Sequence, residues 1–300
     1  MEKPDPVLVL AAGSLGDSLL TLPALRTLQS RALVTLAGTA PYLSLGAKLM
    51  GVDRVIPLDP LLQILLSSSP RDAQKEFWIQ FKEIFVFFKE PDELIRKNLA
   101  SLSPAQVHFP SKPFAEFLEE TRWAADYWLE TVFQCPLAPD SPFRLARLHM
   151  GEKLKERGKQ ILSSLNISFP LVIHPGSGSE SKNAPLSFFK DAAERAVRES
   201  QKQVLVVWGE AEEKNRTALQ AAFAGLKDTV ILDKILSLPD LAAVLSQSAA
   251  YLGNDSGVTQ LASACGLKTF AVFKSTDSRV WGPQTNAFIL NGMKDHLSRP

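Results

Sequence analysis

Apolar residues fall along this chain in short, nearly continuous runs, separated by longer segments in which they recur every three or four positions. The runs predict strands near Val7, Leu33, Arg54 to Ile56, Ile84 and Val107, and a second series near Leu171, Val204 to Trp208, Thr229 to Leu232, Ala249 to Leu252 and Thr269 to Phe273. Between the first two strands of the second series, Phe188, Phe189, Ala192, Ala193, Ala196 and Val197 form one stripe at helical spacing, which reads as a core-facing helix. Short apolar strands alternating with helices predict parallel sheets covered on both faces. A proline-rich stretch from Cys135 to Pro142 separates the two series. The chain therefore reads as α/β, with two doubly wound, Rossmann-like domains over residues 1–145 and 146–285 and a C-terminal segment over 286–300. Pro23 lies too deep in a helix predicted over Asp17 to Ser30 to be a first-turn proline, so that helix is expected to kink or restart there.

The length agrees with this division, because 300 residues is about twice a common domain size. Hydrophobic residues make up 45% of the chain, yet no apolar run reaches the roughly 20 residues that span a bilayer. The first six residues are polar or proline except Met1, and the apolar run after them breaks at Gly13, unlike a secretory leader, so a cytoplasmic protein is expected. The segment Leu58 to Ser69 carries Leu61, Leu62, Ile64, Leu65 and Leu66, and reads either as a core helix or as a lip that touches a membrane surface. Two cysteines, Cys135 and Cys265, are too few and too far apart for a disulfide framework or a zinc site. With 33 basic against 32 acidic residues and no long block of one sign, nothing in the charge points to nucleic acid.

Candidate chemistry lies in three loops, each after a predicted strand. After Val7 to Ala11 come Gly13, Ser14, Leu15, Gly16 and Asp17: two glycines for close backbone approach and a carboxylate at the mouth of a helix. Asp17 is a candidate base or simply a helix cap. The loop lacks the glycine spacing of a dinucleotide fingerprint, and no Gly-Lys-Ser/Thr phosphate loop occurs in the chain. After Leu171 to His174 come Pro175, Gly176, Ser177, Gly178, Ser179 and Lys182, whose hydroxyls, loop N–H groups and ammonium are the donors that a diphosphate requires. His174 reads as a structural imidazole. After Ala249 to Leu252 come Gly253, Asn254, Asp255, Ser256 and Gly257, opening a small-residue helix whose N-terminus offers free N–H groups and a partial positive charge; Asp255 and Ser256 can cap its first turn. No Asp-x-Asp occurs, so a metal bridge to a diphosphate has no obvious ligands.

In this order, Gly13 to Asp17 with Pro23 and Leu28, His174-Pro175-Gly176 with Lys182 and Pro185, and Gly253 to Gly257 continuing to Leu261-Ala262 resemble glycosyltransferase family 9, the ADP-heptose:lipopolysaccharide heptosyltransferases. Phe273 to Thr276-Asp277 and Trp281-Gly282-Pro283 look like the C-terminal signature of that family, while Asp59 to Met150 carries almost nothing diagnostic.

The resemblance implies a GT-B fold with a cleft between the domains, the C-terminal segment crossing back to the first domain, and inverting transfer of a heptose or related sugar from an ADP-sugar to a lipid-anchored saccharide acceptor. It implies neither cofactor nor metal, and a place in the cytoplasm with peripheral contact at the inner membrane. It makes Asp17 the catalytic base, with Ser14, Gly16, Ser177, Ser179, Lys182, Asp255, Ser256 and Gly257 on the substrates and Glu212 or Glu213 on the donor ribose. Gln260, also expected on the substrates, stands where the family usually has a histidine after the Asp-Ser-Gly turn; it keeps hydrogen bonding and loses a titratable ring. Lys89-Glu90-Pro91 also departs from the acceptor loop of the family. Those departures leave two other readings open: a sugar-nucleotide-binding scaffold without turnover, and a transferase with another donor or a protein acceptor.

Overall fold

The computed structural model describes residues 4–68, 75–134, 145–283 and 285–291. The chain forms two compact units, Met1–His149 and Met150–Pro300. In the first, β1 (Asp5–Ala11), β2 (Ala32–Gly38), β3 (Arg54–Pro57), β4 (Glu83–Phe87) and β5 (Gln106–His108) form an all-parallel sheet in the order β3-β2-β1-β4-β5. Val7 to Ala11 and Ile84 to Phe87 are buried, as two covered faces require, which is why these strands read as unbroken apolar runs. The winding direction reverses between β1 and β4. In open parallel sheets such a switch point leaves a crevice beyond the strand carboxyl ends, the usual place for a ligand.

Helix α1 (Leu15–Leu20) follows β1, and α2 (Leu22–Gln29) follows α1 across Thr21. Pro23 falls in the first turn of α2, where its missing N–H has no helical partner to lose, so the expected break at Pro23 takes the form of a restart. One expectation changes here. The helix begins at Leu15 instead of Asp17, because Ser14 already adopts the extended cap conformation, and Gly16 therefore lies inside α1 and not in a flexible loop. Helix α3 (Ala40–Met50) follows β2.

In the segment after β3, Leu58, Leu61 and Leu65 are buried in one core cluster with Trp78, Ile84 and Leu99, and Leu62 and Ile64 pack against it. Leu66 alone of the leucines there is 49% exposed, so the segment serves mainly as a core helix. Pro70 and Arg71 next to it lie outside the described residues, as do Cys135 and the proline-rich stretch. Among the described residues no helix is long and apolar enough to cross a membrane.

The second unit contains β6 (Leu171–His174), β7 (Val204–Val206), β8 (Thr229–Ile231), β9 (Ala250–Asn254), β10 (Thr269–Phe273) and β11 (Ala287–Asn291), all parallel in the order β11-β10-β9-β6-β7-β8. Its switch point lies between β6 and β9. The helix Leu186–Ser200 buries Phe189 and Ala193, in keeping with the core stripe read from its spacing. The sequence reading missed β11. Ala287 to Asn291, the start of the C-terminal segment, belongs to this sheet: it pairs along β10 and stacks Phe288 on Phe270 at 5.2 Å. The remainder of the C-terminal segment, residues 292–300, lies outside the described residues.

Candidate active site

At the first switch point Ala11 at the end of β1 pairs with Phe87 at the end of β4, so Gly13 and Lys89 each stand two residues beyond adjacent strands. Gly13 has φ of +143°, and an added Cβ would come within 2.5 Å of the Asp17 Cβ, so the turn requires glycine on two counts. The Thr39 hydroxyl donates to the Gly13 carbonyl at 2.9 Å and pins the loop. Asp17 then takes the third position of α1. Its Oδ2 accepts both the backbone N–H and the hydroxyl of Ser14 at 2.9 Å, while Oδ1 accepts Lys89 Nζ at 2.8 Å. Capping and ion pairing thus use different oxygens of one carboxylate, and Ser14 is the N-cap.

Burial pushes the Asp17 carboxyl up, but the Lys89 ammonium and the two Ser14 donors outweigh it, and the net shift is below the ordinary aspartate value. Lys89 also stands 5.0 Å from the centre of the Phe114 ring. Lys89 was not among the residues predicted for the site. The available signal was positional: a polar residue just beyond β4 faces whatever lies just beyond β1 once the strand order is known.

At the second switch point His174 at the end of β6 pairs with Gly253 in β9. Asn254 is buried and ties the loops together: its amide nitrogen donates to the Pro175 carbonyl at 2.7 Å and its oxygen accepts the Ala184 N–H at 2.9 Å. Within the loop after β6, Ser177 Oγ lies 2.7 Å from both the Ser179 carbonyl and Asn183 Oδ1, and the exposed Ser179 meets the Ser181 hydroxyl at 2.9 Å. Lys182, in a 3-10 turn over Glu180–Lys182, donates to Asp255 Oδ2 at 2.8 Å, and the Thr276 hydroxyl beyond β10 donates to the same oxygen at 2.6 Å.

Asp255 therefore does not cap the helix Gly257–Ala264, because its carboxylate is drawn to Lys182 and Thr276. Ser256 caps it, accepting the Thr259 N–H at 3.3 Å, and Gly257 is its first residue. Gln260 donates to the Trp281 carbonyl at 2.6 Å, so its amide holds the turn that carries Gly282 and Pro283.

Glu212 and Glu213 separate clearly. Glu212 Oε2 accepts the Gly209 N–H at 2.8 Å and faces His174 Nε2 at 3.3 Å, whereas Glu213 is exposed and lies 4.0 Å from Arg216. A Cβ at Gly176 would overlap the Glu212 carboxylate, so glycine there lets the two loops close on each other. Burial pushes the Glu212 carboxyl up, but His174 and the Gly209 N–H outweigh it and leave it below its ordinary value. His174 is buried and bonded through Nε2, which fits its reading as a structural imidazole. Cys265 donates to the Ala242 carbonyl at 3.8 Å, and burial pushes its thiol up to about 12, so it behaves as a small apolar residue. Among the described residues no group of three or more His, Cys, Asp and Glu side chains is disposed to hold a metal ion.

The site residues thus gather at the two switch points, Ser14 and Asp17 at one and Ser177, Lys182, Glu212, Asp255 and Ser256 at the other, and the family model for glycosyltransferase family 9 (heptosyltransferase) matches residues 150–297, essentially all of the second unit. Residues 150–297 belong to glycosyltransferase family 9. Membership makes it a glycosyltransferase, and its two doubly wound units are of the GT-B type. Among solved structures it is similar to a family 9 glycosyltransferase from Veillonella parvula at 18% identity and a TM-score of 0.73, covering 99% of this chain and 90% of that one. It is also similar to the heptosyltransferase WaaC of E. coli, solved with ADP, at 17% identity and 0.69, covering 95% and 93%. The E. coli ADP-heptose lps heptosyltransferase II follows at 15% identity and 0.74, covering 95% and 90%. At such identities these likenesses speak for the fold. A comparison with curated proteins gives no match. The first unit's resemblance to the family rests on its fold and on the Gly13 to Asp17 turn.

Proposed function

We propose that this glycosyltransferase moves a heptose or a related sugar from an ADP-sugar to a lipopolysaccharide core acceptor, with inversion at the anomeric carbon and no metal. The observation that carries the reading is that each switch point holds a lysine–aspartate pair at 2.8 Å, one built for chemistry and one for an anionic ligand. On the second unit, Lys182, the Ser177 and Ser179 hydroxyls and the N-terminus of Gly257–Ala264 supply the charge and the O–H and N–H groups that a departing diphosphate needs. Glu212, held ionised, accepts hydrogen bonds from the ribose hydroxyls, and Asp255 faces the sugar.

On the first unit, Asp17 takes the proton of the acceptor hydroxyl. The acceptor oxygen then bonds to the anomeric carbon from the face opposite ADP, and ADP leaves with the electron pair of the broken C–O bond. Oδ1 is the oxygen for that proton, since Oδ2 already accepts two hydrogen bonds. The family membership and the solved E. coli WaaC complex with ADP-2-deoxy-2-fluoro heptose, 16% identical with a TM-score of 0.63, support an ADP-sugar donor. A lipid-anchored acceptor would be met at the surface of the inner membrane.

The test is a panel of nucleotide sugars incubated with the purified protein, with and without a lipopolysaccharide core acceptor. Release of ADP from ADP-heptose that depends on the acceptor is the expected result. Binding of a donor with no transfer to any acceptor would turn the reading into a sugar-nucleotide-binding protein, and turnover of a different donor would change the substrate.

A further inference from the structure

The ion pair at the first switch point goes further than the assignment of a base. We infer that Lys89 is the positioning residue of Asp17: it holds Oδ1 on the side away from Ser14 and fixes both the direction and the protonation state of the carboxylate that receives the acceptor proton. This rests on the reading of Asp17 as the base.

Three observations carry it. Lys89 reaches Oδ1 from beyond β4, 72 residues away in sequence, while Ser14 occupies Oδ2, so the carboxylate is gripped from two directions and cannot rotate without losing a charged contact. The lysine is itself seated, with its ammonium 5.0 Å from the centre of the Phe114 ring, which favours a cation over its face. The Asp17 side chain is 18% exposed, so losing Lys89 would leave a largely buried carboxylate with only its two Ser14 hydrogen bonds among those described. Tyr42 of α3, a fully buried phenol whose hydroxyl burial pushes far above its ordinary range, also faces Asp17 and stays neutral, whereas Lys89 brings a positive charge to it.

A clamp of this kind trades basicity for certainty. The ammonium favours the ionised form of Asp17, and it opposes the proton that Asp17 must accept. With Lys89 in place the Asp17 carboxyl lies below its ordinary value, and without it Ser14 is left to oppose burial, so an acid limb set by Asp17 is expected to move up.

The experiment compares the pH dependence of kcat/KM from pH 5 to 9 for the whole chain and for Lys89→Met, Lys89→Gln and Lys89→Arg, alongside carbon-13 NMR titration of the Asp17 carboxyl. The natural chain is expected to show a flat profile toward pH 5. Lys89→Met and Lys89→Gln are expected to lose activity progressively as pH falls, with the NMR midpoint of Asp17 moving up, and Lys89→Arg to restore both. Lys89→Gln retains a donor without the charge and fills a closely similar volume, so it serves if the methionine variant does not fold. Rate profiles and NMR midpoints that superpose on the natural chain in the uncharged variants would overturn the clamp. Normal transfer by Asp17→Asn would instead remove the base assignment, and the NMR midpoint would still decide whether Lys89 sets the charge of Asp17.

Discussion

The two switch points use the same pair of residue types for different ends. At both, a lysine meets an aspartate at 2.8 Å just beyond the carboxyl ends of neighbouring parallel strands. Around Asp17 two of the three donors come from Ser14, three residues earlier, and the lysine side chain is 42% exposed. Around Asp255 both donors come from distant loops, Lys182 73 residues before and Thr276 21 residues after, and the carboxylate side chain is only 8% exposed. The first arrangement preorganises one carboxylate from its own turn and leaves an oxygen on which a proton can land. The second staples three loops together, so its loss disturbs the surface on which a ligand would lie. On the proposed reading, a contact of the same length serves a reactive group in one unit and a binding scaffold in the other.

The strongest way to break this contrast is to neutralise each aspartate in turn. Asp17→Asn is expected to cut transfer by about a hundred- to ten-thousand-fold, the usual range for a positioned base, with donor affinity nearly unchanged. Asp255→Asn is expected to do the reverse, weakening donor binding while the fold persists. Single-turnover rates and calorimetric donor binding on both variants separate the two roles; equal effects on rate and affinity in both would mean that the two sites do not divide the labour.

Next in size is Lys182→Ala, expected to weaken ADP binding by about 1.5–3 kcal/mol, the range for a hydrogen bond to a charged group. Added salt should weaken ADP binding to the natural chain for the same reason. Because Lys182 also partners the buried Asp255, the double variant Lys182→Ala with Asp255→Asn should lose less than the sum of the single losses. Calorimetry with ADP measures both, and additive losses would show that the lysine and aspartate act on the ligand independently. At Gly176 the same loop is tested without charge. Gly176→Ala places a methyl group on the Glu212 carboxylate and should cost about 1–3 kcal/mol of stability as overpacking, read as a lower Tm, with a loss of ADP affinity.

How much of this was legible follows the same division. The local device was: Gly13, Ser14 and Asp17 sit within five residues, and a strand, a glycine turn and a carboxylate at a helix mouth can be read in order. Ten strands were legible from apolar runs because both faces of these sheets are covered; β11 was not, since its residues alternate between half-buried and exposed on the sheet edge and carry a weak apolar signal. The start of α1 was misplaced because Ser14 and Asp17 are both acceptable first-turn residues, and only the backbone conformation distinguishes cap from third position. Lys89 and Thr276 stayed hidden for a different reason. Each acts across strands that are neighbours in the sheet and far apart in the chain, and strand order is a property of the packed fold. The role of Gln260 was hidden likewise, for its partner is the backbone of Trp281, which no pattern of side chains announces.

The smallest expected effect settles the pair that the sequence left open. Glu212 and Glu213 are adjacent and chemically identical, and only their surroundings differ. Glu213 is exposed, with Arg216 at 4.0 Å, and a surface pair of that kind contributes about 0–1 kcal/mol. Glu213→Gln should therefore leave stability within about 0.5 kcal/mol and ADP affinity unchanged. Glu212 accepts from Gly209 and His174 and is held ionised, so Glu212→Gln keeps the shape, removes the charge and leaves His174 Nε2 facing an amide. ADP affinity should fall in that variant, and a donor lacking the ribose hydroxyls should bind the variant and the natural chain alike. Calorimetry on the two glutamine variants with ADP and with its 2′,3′-dideoxy analogue gives the answer: if Glu213→Gln weakens ADP and Glu212→Gln does not, the ribose lies on the outer face of that 3-10 turn, and the buried carboxylate serves only to lock the loop after β7 against Gly176.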